Sequence, residues 1–163
     1  LFEWINSPVV YVDKGVKQTL IDLVNASFRV DRAHYHYLSM ANGFYKDHLV
    51  DKDQPNMKKL FYCLRSTFAC LWVNKYKTMP PVDFNKMLIP DLANQNLIEE
   101  MKFLMKEKLN KGEGDSTGNC KLSKGFIEDS LAYLSELNPS GNTPDKNKVD
   151  EIFKSLLNTH GKF

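Results

Sequence analysis

Long hydrophobic runs and a strong net charge of either sign are missing from this sequence of 163 residues. The longest apolar stretch, at residues 68–73, is far shorter than the ~20 residues that a helix needs to cross a bilayer. No basic segment followed by an apolar one marks a signal peptide. A formal net charge of +2 indicates a nucleic-acid partner only if the cations cluster locally. We therefore expect no membrane partner.

Cysteine is scarce, with only Cys63, Cys70 and Cys120 in the chain. Cys63 and Cys70 are seven residues apart, which places them on one side of a helix and out of reach of each other. An odd number of cysteines without a CxxC pair favours neither a disulfide framework nor a zinc site. This usage is typical of a reducing compartment, so we predict a cytoplasmic protein.

Catalytic motifs are also missing, since the sequence contains neither GxSxG nor HExxH. His34 and His36 point about 200° apart on a helix and could not share a metal ion. Asp51 and Asp53 have the Asp-x-Asp spacing of a magnesium site, but their position in a short turn favours a capping or solvated role. No metal site and no catalytic residue is predicted in this chain.

Apolar residues recur at helical spacing through most of the chain. The predicted helices lie at about residues 16–28, 31–48, 56–76, 83–88, 92–111, 123–137 and 144–158. Residues 1–6 resemble the end of a helix, residues 9–12 an extended linker and residues 112–119 a polar loop. Asp31 can cap the second helix, and Pro55 opens the third. We predict a single all-α domain over residues 1–163, an irregular helical bundle of about six helices.

The third predicted helix carries a stripe of cations and aromatic rings opposite its apolar face. The stripe contains Lys58, Tyr62, Arg65, Ala69 and Trp72, and Lys59 borders it. Cations in this arrangement can neutralise phosphate oxygens while an aromatic ring stacks on a base. The same pattern is typical of a solvated Lys/Arg face beside ordinary core aromatics, so the spacing leaves both interpretations open.

The second predicted helix has two candidate faces. One contains His34, Leu38, Ala41, Tyr45 and His48. The other contains Tyr37, Met40 and Phe44 and is predicted to face inward. His34 could handle a proton or bind a ligand in a cleft, although the pattern favours a structural, hydrogen-bonded histidine.

Three stretches of the sequence are distinctive when taken together: LFEWINSPVVY at residues 1–11, AHYHYLSMANGFY at residues 33–45 and KKLFYCLRSTFACLWVNKYKTMPP at residues 58–81. Together they resemble the RNA-repair-associated predicted nucleotidyltransferases of the DNA polymerase β superfamily. Their order and spacing agree with that family, and DFNKML at residues 83–88 also fits. The resemblance covers roughly the first 90 residues, and the remainder matches only as a charged helical tail.

The resemblance implies a helical region that follows a catalytic half. In that half, a Gly-Ser turn and paired acidic residues bind two divalent metals. This sequence contains no such element, and it opens in the middle of a helical pattern. We therefore expect the C-terminal helical part of a longer nucleotidyltransferase, with Mg²⁺ in the catalytic half and no cofactor in this chain. The expected partners are a nucleoside triphosphate, RNA and the N-terminal catalytic domain.

The family motifs cover Glu3, Ser7, Pro8, His34, Tyr37, Lys58, Lys59, Tyr62 and Arg65. We predict nucleotide or RNA binding by Lys58, Lys59, Tyr62, Arg65, His34 and Tyr37. On physical grounds, Lys58 and Arg65 would bind phosphates, and Tyr62 would stack or donate a hydrogen bond. Two alternatives remain: a structural or protein-interaction domain, and a free-standing enzyme with a site around His34 and Tyr45.

Overall fold

The computed structural model describes residues 5–7, 9, 15–110, 119–141 and 143–160. The helices are α1 (Lys17–Ser27), α2 (Val30–His48), α3 (Met57–Tyr76), a 3-10 helix (Phe84–Met87), α4 (Gln95–Asn110), α5 (Lys121–Glu136) and α6 (Lys146–His160). Since the described ranges contain no β-strand, the predicted all-α bundle is confirmed. No helix in these ranges is long and apolar enough to cross a membrane. The predicted loop at residues 112–119 lies outside the described residues except for Asn119.

Helix α3 forms the centre of the core, and more than half of its 20 residues are buried. It packs along α2 and also contacts α5 and the 3-10 helix. Phe68 is fully buried, with its ring 5.7 Å from that of Phe84 and 4.8 Å from that of Phe126. A helix that is apolar nearly all round is expected to be packed from several sides, and this prediction for residues 60–73 is confirmed.

Two thiols mark the contact between α2 and α3. The Cys63 thiol donates to the Ala41 carbonyl at 3.4 Å, and the Cys70 thiol donates to the His34 carbonyl at 3.5 Å. The thiols and the carbonyls are each seven residues apart but run in opposite order, so the two helices are antiparallel. Burial raises the pKa of Cys63 and of Cys70 to about 12, which makes both thiols inert packing groups at neutral pH.

Helix α2 begins differently from the prediction. Arg29 occupies the N-cap position, and Asp31 lies inside the first turn. The Asp31 carboxylate accepts two hydrogen bonds from the Arg29 guanidinium, at 2.6 and 3.1 Å. The predicted capping role of Asp31 is therefore wrong, because this carboxylate pairs with the arginine.

Helices α3 and α4 also begin at residues other than those predicted from the sequence. Asn56 caps α3 by accepting a hydrogen bond from the Lys59 backbone N–H at 3.2 Å, so Pro55 precedes the helix rather than opening it. The Asn94 side chain accepts a hydrogen bond from the Leu97 N–H at 2.9 Å, which places the start of α4 at Gln95. In both helices an asparagine side chain satisfies a first-turn N–H, as such caps usually do.

Helices α1 and α6 pack on each other at the side of this core. Helix α1 has no buried residue, and Phe153 and Leu157 on α6 are about half exposed. The connection before α6 is attached to α2, since Tyr35 donates a hydrogen bond to Asn138 at 3.1 Å. Gly141 lies so close to the Asp31 carboxylate that a Cβ atom there would require this side chain to shift.

Candidate functional site

A groove of about 830 Å³ lies between the end of α1, one face of α2 and the first half of α3. Its aromatic and apolar lining includes Phe28, Tyr37, Met40, Phe44, Tyr62 and Met79. Its basic lining consists of Arg29, Arg32, His36 and Arg65. As far as the described residues go, no carboxylate lines the groove. The groove is therefore suited to a ligand that is both anionic and aromatic.

All three arginines of the sequence line this groove. None of the 19 lysines does so within the described part of the chain. The planar guanidinium donates two parallel hydrogen bonds to a phosphate, whereas the lysine ammonium acts as a point charge. This concentration of arginine is the clearest chemical feature of the described surface.

The three guanidinium groups are held to different degrees. Arg65 donates a hydrogen bond from Nη1 to the Val82 carbonyl at 2.8 Å, which fixes it beside the chain that follows α3. Arg29 is paired with Asp31, and this hydrogen bond raises the pKa of the arginine and lowers that of the aspartate. Arg32 is exposed, and its guanidinium makes no hydrogen bond or ion pair with the described residues. Two of the arginines are therefore pre-positioned, and the third can move toward a ligand.

The aromatic wall of the groove centres on Tyr62. Its side chain is 42% exposed, and its ring centroid lies 5.4 Å from that of Phe44 at an angle of 43°. The Phe44 contact supports the tyrosine ring from one side. An exposed, supported ring of this kind can stack on a nucleobase.

The structure brings together three of the six predicted site residues, since Tyr37, Tyr62 and Arg65 all line the groove. Lys58 and Lys59 are half-buried near the start of α3 and do not belong to the groove lining. Their binding roles stay predictions.

His34 lies apart from the groove, fully buried on the face of α2 that meets α3. The Asn74 side-chain N–H₂ donates to the Cys70 carbonyl at 2.7 Å and to His34 Nδ1 at 2.8 Å. Because the carbonyl can only accept, the amide nitrogen must face it, and Nδ1 is then an acceptor with the ring proton on Nε2. Burial lowers the pKa of His34, so the ring is neutral at physiological pH.

Tyr45, the other residue of the alternative active site, is engaged elsewhere. Its hydroxyl donates to Glu128 Oε1 at 2.7 Å, and this hydrogen bond raises the pKa of Tyr45 to about 12. Neither Tyr45 nor His34 lines the groove. The geometry therefore gives no support to an active site built from these two side chains.

Sequence reasoning missed most of the α2 wall of the groove, namely Arg29, Arg32, His36, Met40 and Phe44. These positions recur at three- and four-residue spacing and so share one helix face, which was the available signal. The prediction that Met40 faces inward is wrong, because its side chain is 39% exposed. The buried face of α2 instead contains Val30, His34, Tyr37 and Ala41.

The described residues of this chain do not fit a two-metal centre. Within the described ranges, no group of three His, Cys, Asp or Glu side chains could hold a metal ion. Asp51 and Asp53 are both exposed, and Asp51 has a positive φ of 57° in the turn before α3. Paired carboxylates on a rigid element are the usual support for two catalytic metals, so no metal step is assigned to these residues.

Comparison with known proteins identifies the family. The family model for RlaP, the RNA repair pathway DNA polymerase beta family, matches residues 1–157. The Bacillus subtilis (strain 168) protein named Uncharacterized protein YcgL is 31% identical over 160 residues. The alignment covers 98% of this chain and 61% of that relative, and no solved structure matches. The predicted extent of the resemblance, roughly the first 90 residues, was too short, because the family match also includes α4, α5 and most of α6. The chain belongs to the RNA repair pathway DNA polymerase beta family.

Proposed function

We propose that this chain is the substrate-side helical part of an RNA-repair nucleotidyltransferase, and that the arginine groove binds its nucleotide or RNA substrate. Family membership supports nucleotidyltransferase-like chemistry in RNA repair. One observation carries the assignment of the site: the three arginines of the chain converge on a groove with an exposed Tyr62 and no carboxylate in its described lining. Arginine forks and aromatic faces are the groups that bind phosphates and bases.

The metal-dependent step is proposed to belong to another part of the protein. This chain spans 61% of the length of its Bacillus subtilis relative, which leaves room for a further region in a protein of that size. Magnesium ions on paired carboxylates supply the charge stabilisation for nucleotidyl transfer, and they would be bound in that region. The residues of this chain would bind and orient the substrate, which by itself can contribute a large share of the rate.

Within the groove, the proposed roles follow from the contacts of each side chain. Arg65 and Arg29 would present pre-positioned donors to phosphate oxygens, since each is held by a neighbouring acceptor. Arg32 would close on the ligand from the exposed side. Tyr62 would stack on a base with Phe44 behind it.

Substitution of Arg32 tests this proposal with the least risk to the fold. Because its guanidinium is exposed and makes no bond to the described residues, Arg32→Ala should leave the melting temperature almost unchanged. Loss of one charge-assisted hydrogen bond should weaken nucleotide or RNA binding about ten-fold in titration calorimetry. Lys102→Ala, which removes an exposed cation on α4 outside the groove, is the matched control and should bind normally. If Arg32→Ala binds every nucleotide and RNA as tightly as the wild type, the groove is not the substrate site.

A protein-interaction role has a separate observation in its favour. Phe153 and Leu157 lie one helical turn apart on α6, and both are about half exposed. This exposed pair offers apolar area on one helix face that a partner could cover. This role is compatible with the first, because the pair lies on α6, which does not line the groove.

A further inference from the structure

The basic residues of the groove form a row along α2. Arg29, Arg32 and His36 follow one another at spacings of three and four residues on the same face. At ~1.5 Å of rise per residue, the row extends over about 10 Å. Arg65 adds a further guanidinium from the neighbouring helix α3.

A row of this length matches a sugar-phosphate backbone better than a triphosphate. The phosphates of a triphosphate share bridging oxygens and form one compact cluster, which would be bound by donors that converge on one point. The phosphates of a stacked strand are separated by roughly 3.4 Å along its axis, so about three nucleotides would cover the row. The basic residues of the groove are spread along α2, as the phosphates of a strand are, and do not converge on one point.

The same groove interleaves its basic residues with rings and apolar side chains. Phe28, Tyr37 and Phe44 lie in the same groove lining as the arginines and His36, and Tyr62 faces the groove from α3. Cations beside stacking surfaces are the usual means of binding an unpaired strand without sequence preference. In a duplex the base faces are already stacked on each other and cannot reach Tyr62.

The size of the groove also favours a single strand. Its volume of about 830 Å³ falls within the range of small-ligand pockets and is too small to enclose a double helix. A short strand could lie along the row with its bases turned toward the aromatic wall.

We infer that the arginine groove binds a short single-stranded segment of RNA, with its phosphates along Arg29, Arg32 and Arg65 and an unpaired base against Tyr62. This inference rests on the proposed function and narrows its substrate from nucleotide or RNA to the RNA strand. Because Asp31 partly offsets the charge of Arg29, binding should release two to three counterions. The expected slope of log K against log salt is then about −1.5 to −2, at roughly −0.7 per phosphate contact for a single strand.

Fluorescence anisotropy can test the inference with a labelled single-stranded oligouridylate and the corresponding RNA duplex, between about 50 and 200 mM salt. Unlabelled nucleoside triphosphates serve as competitors. We expect the single strand to bind more tightly than the duplex, and triphosphates to compete poorly. Arg32→Ala should weaken binding about ten-fold and reduce the salt slope by about 0.7, whereas Lys102→Ala should change neither.

A second pair of variants isolates the stacking contact. Tyr62→Ala should weaken binding of the single strand about ten-fold, and Tyr62→Phe should bind within about two-fold of the wild type, since the ring face is retained. Neither change should alter the salt slope, because no charge is removed. Loss of binding in Tyr62→Phe would contradict stacking and indicate that the hydroxyl makes the contact.

The outcomes separate the inference from the proposed function. If a triphosphate binds, and Arg32→Ala weakens binding of the triphosphate but not of the RNA strand, the strand inference is wrong and the proposed substrate site stands. If duplex and single strand bind equally tightly, the strand inference is also wrong. If Arg32→Ala changes binding of neither ligand, the groove is not the substrate site, and the proposed function of this surface is wrong as well.

Discussion

Two helix pairs in this protein use amphipathic sequence differently. In the α2–α3 pair, more than half of α3 is buried and two thiols bond to carbonyls of the partner helix. In the α1–α6 pair, α1 buries no residue and α6 leaves Phe153 and Leu157 half exposed. Since apolar burial provides most of the driving force for folding, the first pair should contribute most of the stability. The groove lies where the end of α1 meets this stable pair, as binding sites often lie between regions of different stability.

The largest expected difference between the two pairs is in thiol reactivity. Cys63 and Cys70 are fully buried, and burial raises their pKa to about 12, whereas Leu157 occupies a half-exposed position on α6. The thiol introduced by Leu157→Cys should react with a disulfide reagent near pH 8 at least ~100-fold faster than the native thiols. Mass spectrometry of a labelling time course would measure each rate. Equal rates would mean that the α2–α3 contact opens as readily as the outer helices.

Two phenylalanine substitutions, one in each helix pair, compare how much the two pairs contribute to the free energy of unfolding. Phe68 is fully buried between two other rings, so Phe68→Ala should lower the free energy of unfolding by about 3–5 kcal/mol. Phe153→Ala, at a position that is 49% exposed, should lower it by less than about 1 kcal/mol. Urea denaturation of both variants gives the two values. A large loss in Phe153→Ala would show that α6 is part of the core.

The pH dependence of stability should also originate in the α2–α3 pair. Burial lowers the pKa of His34 below its ordinary value of 6.5, so the unfolded chain binds a proton at pH values at which the folded protein does not. The stability that His34 contributes is therefore present above pH 6.5 and is lost as the pH falls below it. As the pH is lowered from neutral to mildly acidic, the melting temperature of His34→Gln should fall less steeply than that of the wild type. An unchanged slope in His34→Gln would show that another group sets this pH dependence.

The smallest expected effects concern two glycines and should have opposite signs. A Cβ atom at Gly43, inside α2, would meet no other atom, so Gly43→Ala should stabilise the protein by up to about 1 kcal/mol. Gly15, before α1, has a φ of 77° that an alanine adopts only with strain, so Gly15→Ala should destabilise by about 1 kcal/mol. Thermal unfolding of both variants would detect the contrast. A stabilised Gly15→Ala variant would mean that the chain before α1 adopts another conformation at little cost.

The sequence predicts the helices of this fold well because apolar spacing directly reflects burial. The stretch around Phe68 is apolar nearly all round, and it becomes the central helix. Helix starts were less predictable, since Asp31 pairs with Arg29 instead of capping α2. That choice depends on the side chain of Arg29, which helical spacing does not encode.

The candidate site could be predicted only in part for a related reason. Tyr62 and Arg65 were found because they lie opposite the strongly apolar face of α3, and that face must be buried in any packing arrangement. One of the two candidate faces of α2 contains His34, whose buried ring accepts a hydrogen bond from Asn74 that helical spacing does not encode. Arg32 was missed because neither candidate face of α2 included it, whereas Tyr37, Met40 and Phe44 of the face predicted to be inward do line the groove.

Photocrosslinking can show whether RNA lies in the arginine groove when it is bound. RNA that carries a photoreactive uridine would be irradiated with the protein, and the adducts would be mapped by peptide mass spectrometry. Adducts are expected on Tyr62 and neighbouring groove residues, with their yield reduced by Arg32→Ala and unchanged by Lys102→Ala. Adducts confined to another surface, such as the one around Lys121 and Lys124 on α5, would contradict this role of the groove.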